Sequence, residues 1–302
     1  MNVNFWIRLN ARAAANPLQA AIIFMLVSTL GFSLMNVCVR LAAETMDATF
    51  IVTLRNFVTL IILVPLVMPN NFKIIRTKRI KAHFWRSAIG AIGMITWTYC
   101  LTLMPLAHAT ALSFTAPLLS TLFAILILKE HATYRHAIAL ALGVIGVLII
   151  LRPSIAGFEW NSLLVILATT AWAITALFIK SLTATEPPLR MIFYMNLFMF
   201  FLALPFGFLH WQTPTPHEWL LICGIAFFSI CMHFTMVKAY ALVPVVTLMP
   251  FDFMRLVYTS ILAYFVFHET SDLYTWLGAA IIVASVVIVS KKKTPSELAE
   301  PV

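Results

Sequence analysis

The chain has 302 residues, of which 62% are hydrophobic and 10% charged, with a formal net charge of +9. A soluble domain carries about 25% charged residues, so the composition excludes an ordinary water-soluble fold. The basic residues lie in short stretches between apolar runs rather than in one block, so membrane topology explains the charge and no nucleic-acid partner is expected.

The N-terminal stretch MNVNFWIRLNARAAANP is basic, and the apolar run behind it continues to Arg40, too long for a signal-peptide core. It is expected to remain as helix one. Apolar segments fall at 18–42, 47–68, 83–104, 106–128, 134–151, 160–181, 189–210, 217–239, 243–266 and 273–290. They are continuous, where the strands of a membrane barrel would alternate. The expected class is an all-α integral membrane protein with ten transmembrane helices. Cys38, Cys100, Cys223 and Cys231 lie inside these segments with no CxxC pair, and read as small apolar residues. No metal or cofactor is expected.

The 20 Lys and Arg residues orient the spans. With both termini cytoplasmic, Arg8 and Arg12 lie inside, as do Lys73, Arg76, Lys78, Arg79, Lys81 and the nearby Arg86 after helix two. Lys129, Arg135, Lys180, Arg190, Lys238 and Lys291 to Lys293 join them, whereas only Arg40 and Arg152 fall outside. This asymmetry follows the positive-inside rule. The 73–81 loop also suits anionic membrane lipids, though topology alone accounts for it.

Residues 105–151 align without a gap on 244–290 at an offset of 139, pairing Pro105 with Pro244 and Glu130 with Glu269. The earlier helices match at an offset of 140, as in Thr29 with Thr169, Phe32 with Trp172, Arg40 with Lys180 and Asn56 with Asn196. The expected units are 18–151 and 160–290, followed by a cytoplasmic tail at 291–302. Five spans per unit is an odd number, so the second unit enters the membrane inverted. Inverted five-helix repeats place a central site between two bundles that exchange access to either side, a common design of secondary transporters.

The stretch Pro105 to Leu151, with Pro117, the Lys129–Glu130 pair and a fifth helix holding Gly143 and Gly146, resembles the EamA-type drug/metabolite transporters. The second copy, ending in His268 and Glu269, is similar to the same module, so the resemblance covers nearly the whole chain. The runs Gly93 to Leu119 and Pro250 to Glu269 look most like bacterial members that include S-adenosylmethionine uptake transporters, while other similar members move riboflavin or amino acids and their relatives. The resemblance implies a secondary carrier of a small polar metabolite, often one with a flat ring, in the bacterial cytoplasmic membrane.

Ionisable groups inside spans are costly and face a bundle interior or a wet cavity. Arg55 in helix two and the pair Asp252 and Arg255 in helix nine are the deepest here. Residues three apart share a helix face, so Asp252 and Arg255 can meet. Arg55 or Arg255 is a candidate for a substrate carboxylate, and Asp252 for a cationic group or for a proton that couples transport. A permanent ion pair joining helices fits Asp252 and Arg255 equally well. Trp97, Tyr99 and Phe114 offer ring surface, alternatively explained by packing or an interfacial belt. His108 and His233 are candidate hydrogen-bonding groups with an ordinary structural reading beside it. Asn56, with Asn36 and Asn196, either binds ligand or joins helices. Pro117 and Pro250 fall inside spans and are expected hinges or walls of the site.

The rival classes are a membrane enzyme and a non-transporting receptor. The chain has no HExxH and no glycine-rich phosphate loop. A channel would call for rings of repeated charge or a filter-like segment, and neither is evident. Oligomeric state is not legible from the residues.

Overall fold

The computed structural model describes residues 16–68, 73–103, 113–151, 161–267 and 273–290. Eleven α-helices occur among them. The first unit holds α1 (Pro17–Ala42), α2 (Ala48–Val67), α3 (Ile80–Leu103), α4 (Thr115–Leu128) and α5 (Tyr134–Leu151). The second holds α6 (Asn161–Thr183), α7 (Pro188–Leu209), α8 (Pro216–Leu242), α9 (Val245–Asp252), α10 (Met254–Phe267) and α11 (Leu273–Ser290). The α9 and α10 helices are two halves of one span, broken at Phe253. The ten expected spans are therefore present. Six of them are long and apolar enough to cross a membrane, counting Val245–Val266 as one.

The helix ends follow from the sequence. Pro17, Pro188 and Pro216 open α1, α7 and α8, where a missing N–H costs nothing. Asp47 caps α2 by accepting from the Thr49 amide at 2.8 Å. Thr215 and Glu218 form a reciprocal capping box at α8. Inside the spans, several hydroxyls are satisfied by their own helix. Thr59 donates to the Arg55 carbonyl, Ser87 to His83 and Thr175 to Ala171.

The packing has the symmetry of the repeat. Helix α1 lies along α8 while α6 lies along α3, and α4 meets α6 as α9 and α10 meet α1. Helices α2 and α7, counterparts of one another, pack together, as do α5 and α11. In the last pair Gly146 approaches so closely that a Cβ there would lie 2.8 Å from the Gly278 carbonyl. Outward faces expose large apolar side chains such as Leu126, Phe208, Leu220 and Phe265, which in lipid need no cover.

Two turns fix the ends of the bundle. At one, Arg190 donates to the Ile74 carbonyl at 2.6 Å and to Glu186 at 2.7 Å, and Thr77 donates to Glu186 at 2.7 Å. At the other, Thr45 in the α1–α2 turn donates to Glu218 at 2.6 Å, and Gln212 donates to the Thr45 carbonyl at 3.1 Å. Burial alone would raise Glu186, yet hydrogen bonds from Arg190 and Thr77 hold it below the ordinary carboxylate range. Asp47 is likewise held low, Thr49 outweighing its partial burial.

Candidate functional site

A cavity of about 640 Å³ lies between the two units, within the range of small-molecule sites. Its mouth is at the α1–α2 turn, where Ala43 and Asp47 are exposed, and it runs inward to Ser120, Ile179 and Tyr240. At the opposite end, hydrogen bonds join the two units. Beyond the left-handed C-cap at Lys129, the Glu130 carboxylate accepts from the Val245 and Val246 amides, each at 3.0 Å. Lys180 beside it donates to the Tyr240 and Val243 carbonyls, both at 2.7 Å. One unit's acid thus caps the N-terminus of α9, and α6 ties off the end of α8.

Two charged poles line the interior. At the break in span nine, Arg255 Nη1 lies 3.5 Å from Asp252 Oδ2, with the side chains 11% and 22% exposed. The guanidinium sits over Phe114 at 4.7 Å and Phe32 at 5.4 Å. Ser33 donates to the Arg255 carbonyl and accepts from Thr259, both at 3.0 Å, tying α1 to this segment. The second pole gathers Arg55 of α2, Arg86 of α3 and His233 of α8. Arg55 meets Met35 Sδ at 3.8 Å and Met94 Sδ at 3.4 Å. Arg86 donates to the Met191 carbonyl at 2.9 Å and meets Met195 Sδ at 3.5 Å. Trp97 and Trp172, with centroids 5.4 Å apart, form part of the wall. Nine of the chain's 14 methionines line the space, giving it a soft, adaptable surface.

Of the sequence candidates, Arg55, Trp97, His233, Asp252 and Arg255 line the cavity, and so does Asn36. Several others are corrected. Asn56 does not line it; it is buried in α2 and donates to the Val52 carbonyl at 2.8 Å, as its counterpart Asn196 does to Ile192. Phe114 stands behind the lining, supporting Arg255 rather than presenting a free ring to a ligand. Pro117 lines the cavity but does not interrupt α4. It is the third residue of that helix, where amides have no intrahelical partner. Pro250 does precede a break, three residues on at Phe253. The Tyr99 side chain, His108 and Glu269 lie outside the described residues.

Arg86 is the residue that sequence reasoning misplaced. Counted with the basic 73–81 loop, it lies instead within α3, 1% exposed, and lines the cavity. Its distance from that loop by one helical turn and a half was the available signal.

The sequence profile of the EamA-like transporter family matches residues 19–152 and again 160–291. The chain belongs to the EamA-like transporter family. It is thus a multi-pass integral membrane protein of a family of transporters rather than enzymes, acting on small molecules. An S-adenosylmethionine uptake transporter of Rickettsia prowazekii is 29% identical over 277 residues, covering 91% of this chain and 94% of that one. A riboflavin transporter of Vibrio cholerae is 30% identical over 288 residues, covering 92% and 95%. A pseudopaline exporter of Pseudomonas aeruginosa is 23% identical over 278 residues, covering 91% and 98%. A protein of known crystal structure superposes with a TM-score of 0.76 at 15% identity, over 89% of this chain and 96% of that one, and so shares the fold.

Proposed function

We propose that this EamA-type protein carries a polar metabolite with an ionised amino-acid end and a flat ring by alternating access, S-adenosylmethionine being the first candidate. The observation that carries this reading is the pairing of Asp252 and Arg255 beside the break in span nine, inside the cavity between the units. An ammonium suits Asp252 and a carboxylate suits a guanidinium, while the Trp97 and Trp172 rings offer stacking surface worth roughly 0.5–1.5 kcal/mol per aromatic pair. Rocking of one repeat against the other would close the mouth and release Glu130 from α9. The units are taken as 18–151 and 160–290.

With both termini cytoplasmic, in the bacterial cytoplasmic membrane, the present mouth faces outward. Proton coupling through Asp252 requires the ion pair to part, and belongs to the same reading. Riboflavin is the second candidate, because the riboflavin transporter of Vibrio cholerae is as similar as the Rickettsia protein. Uptake of labelled S-adenosylmethionine, riboflavin and an amino-acid mixture by proteoliposomes, with and without a pH gradient, separates these candidates. Saturable uptake of S-adenosylmethionine supports the first choice; uptake of another compound alone replaces it.

A further inference from the structure

The cavity's charges are unbalanced. Below its mouth it holds three guanidiniums and one carboxylate, and that carboxylate is already engaged with Arg255. Arg55 and Arg86 are 6% and 1% exposed, and neither faces a carboxylate among the described residues. Arg55 meets two thioethers in place of strong acceptors, and Arg86 meets one thioether and one carbonyl. Nε of Arg55, Nε of Arg86 and Nδ1 of His233 have no hydrogen-bond partner. All three line the same cavity, reaching it from α2, α3 and α8.

A buried cation without a partner costs the fold free energy, because neither water nor a counter-charge replaces its hydration. These charges are not part of the repeated scaffold. The counterpart of Arg55 is Met195, and the corresponding stretch of α8 around Ala226 carries no charge. The complementary chemistry is an anion. A guanidinium presents a planar fork that matches paired oxygens, so the partner chemistry is an oxyanion rather than a halide.

We propose that Arg55, Arg86 and His233 form an oxyanion subsite that takes a carboxylate or phosphoryl group of the transported solute. The proposal rests on the carrier reading but not on the choice of solute, and it ranks the candidates. S-adenosylmethionine brings a carboxylate, whereas riboflavin brings no anionic group.

The first test needs no knowledge of the solute. Thermal unfolding of the purified full chain in detergent is followed with inorganic phosphate, acetate or chloride at equal ionic strength. Phosphate and acetate raise the midpoint of the wild type more than chloride does, and this difference is lost in Arg55→Gln and in Arg86→Gln. Equal shifts for all three anions, or oxyanion shifts that survive both substitutions, overturn the proposal. Because Arg55→Gln removes an unpartnered charge, it unfolds no earlier than wild type without anion; earlier unfolding would make the guanidinium a structural strut and also overturn it.

Two matched pairs then distinguish carboxylate from phosphate: S-adenosylmethionine against its decarboxylated form, and riboflavin 5′-phosphate against riboflavin. In the pair that binds, the oxyanion member binds about 10- to 100-fold more tightly, the range of a charge-assisted hydrogen bond. Equal binding within that pair overturns the proposal. If neither pair binds while the phosphate shift persists, the subsite stands and the solute candidates fall.

Discussion

Phe114 and Phe253 stack with ring centroids 5.6 Å apart and planes at 23°, and each is the other's counterpart in the repeat, 139 residues away. Both stand between helical segments, Phe114 before α4 and Phe253, with helical dihedrals of its own, between α9 and α10. The pseudo-two-fold axis of the fold therefore passes between two rings, and the Asp252–Arg255 pair is mounted on one of them. The first unit has Ser113 and Ala116 at the positions of Asp252 and Arg255. Shared positions build the scaffold, and unshared charges line the cavity.

Gly143 lets this stack close, because a Cβ there would overlap the Phe253 ring. Gly143→Ala is expected to destabilise the protein by about 1–3 kcal/mol, the cost of overpacking. Thermal unfolding in detergent measures it. Phe253→Leu should recover part of the loss in the double variant, since the smaller side chain yields space, whereas additive losses would place the strain elsewhere.

Removing either member of the ion pair strands the other in a partly desolvated cavity. Asp252→Asn and Arg255→Ala should each abolish saturable uptake, and each should cost about 1–3 kcal/mol of stability. Unfolding midpoints measured beside uptake separate the two effects. A variant that folds like wild type and still transports would remove that residue from the site.

Glu130 caps α9 at the far end. Glu130→Ala removes both acceptors and the favourable charge at a helix N-terminus, at a cost of about 1–2 kcal/mol. It should increase labelling of a cysteine placed at Ser120 or Ala176 by a polar maleimide added from the Glu130 side. Unchanged labelling would show that the cap does not hold the far end.

The Glu186 cluster gives a pH dependence. Its carboxyl titrates lower in the folded chain than in the unfolded one, so its contribution is fully present above about pH 4.3, the ordinary glutamate value. That contribution is lost as the pH falls through the lower, folded value. Unfolding midpoints should therefore drop in acid, and the drop should be smaller in Glu186→Gln. An identical acid response in wild type and variant would assign the effect to other groups.

Ten spans and their inverted pairing were legible because span length and a fixed offset are properties of the chain itself. Asp252, Arg255 and Arg55 were legible because charge inside an apolar run is rare. Arg86 was not, because the five basic residues before it obey a topology rule that accounts for it equally well. Asn56 and Phe114 were misplaced because facing the cavity depends on helix rotation, which composition does not encode. The break at Phe253 lies past the proline that drew attention, and the alignment of Phe114 with Phe253 carried the hint. That nine methionines share the cavity wall depends on helix packing and was not legible in the chain.

Counterflow tests the central claim most directly, that one cavity serves both sides of the membrane in turn. Proteoliposomes preloaded with excess unlabelled S-adenosylmethionine should take up the labelled compound faster than empty ones, with saturation, and Arg255→Ala should abolish both uptake and acceleration. Non-saturable flux unaffected by preloading would contradict alternating access and point to a pore.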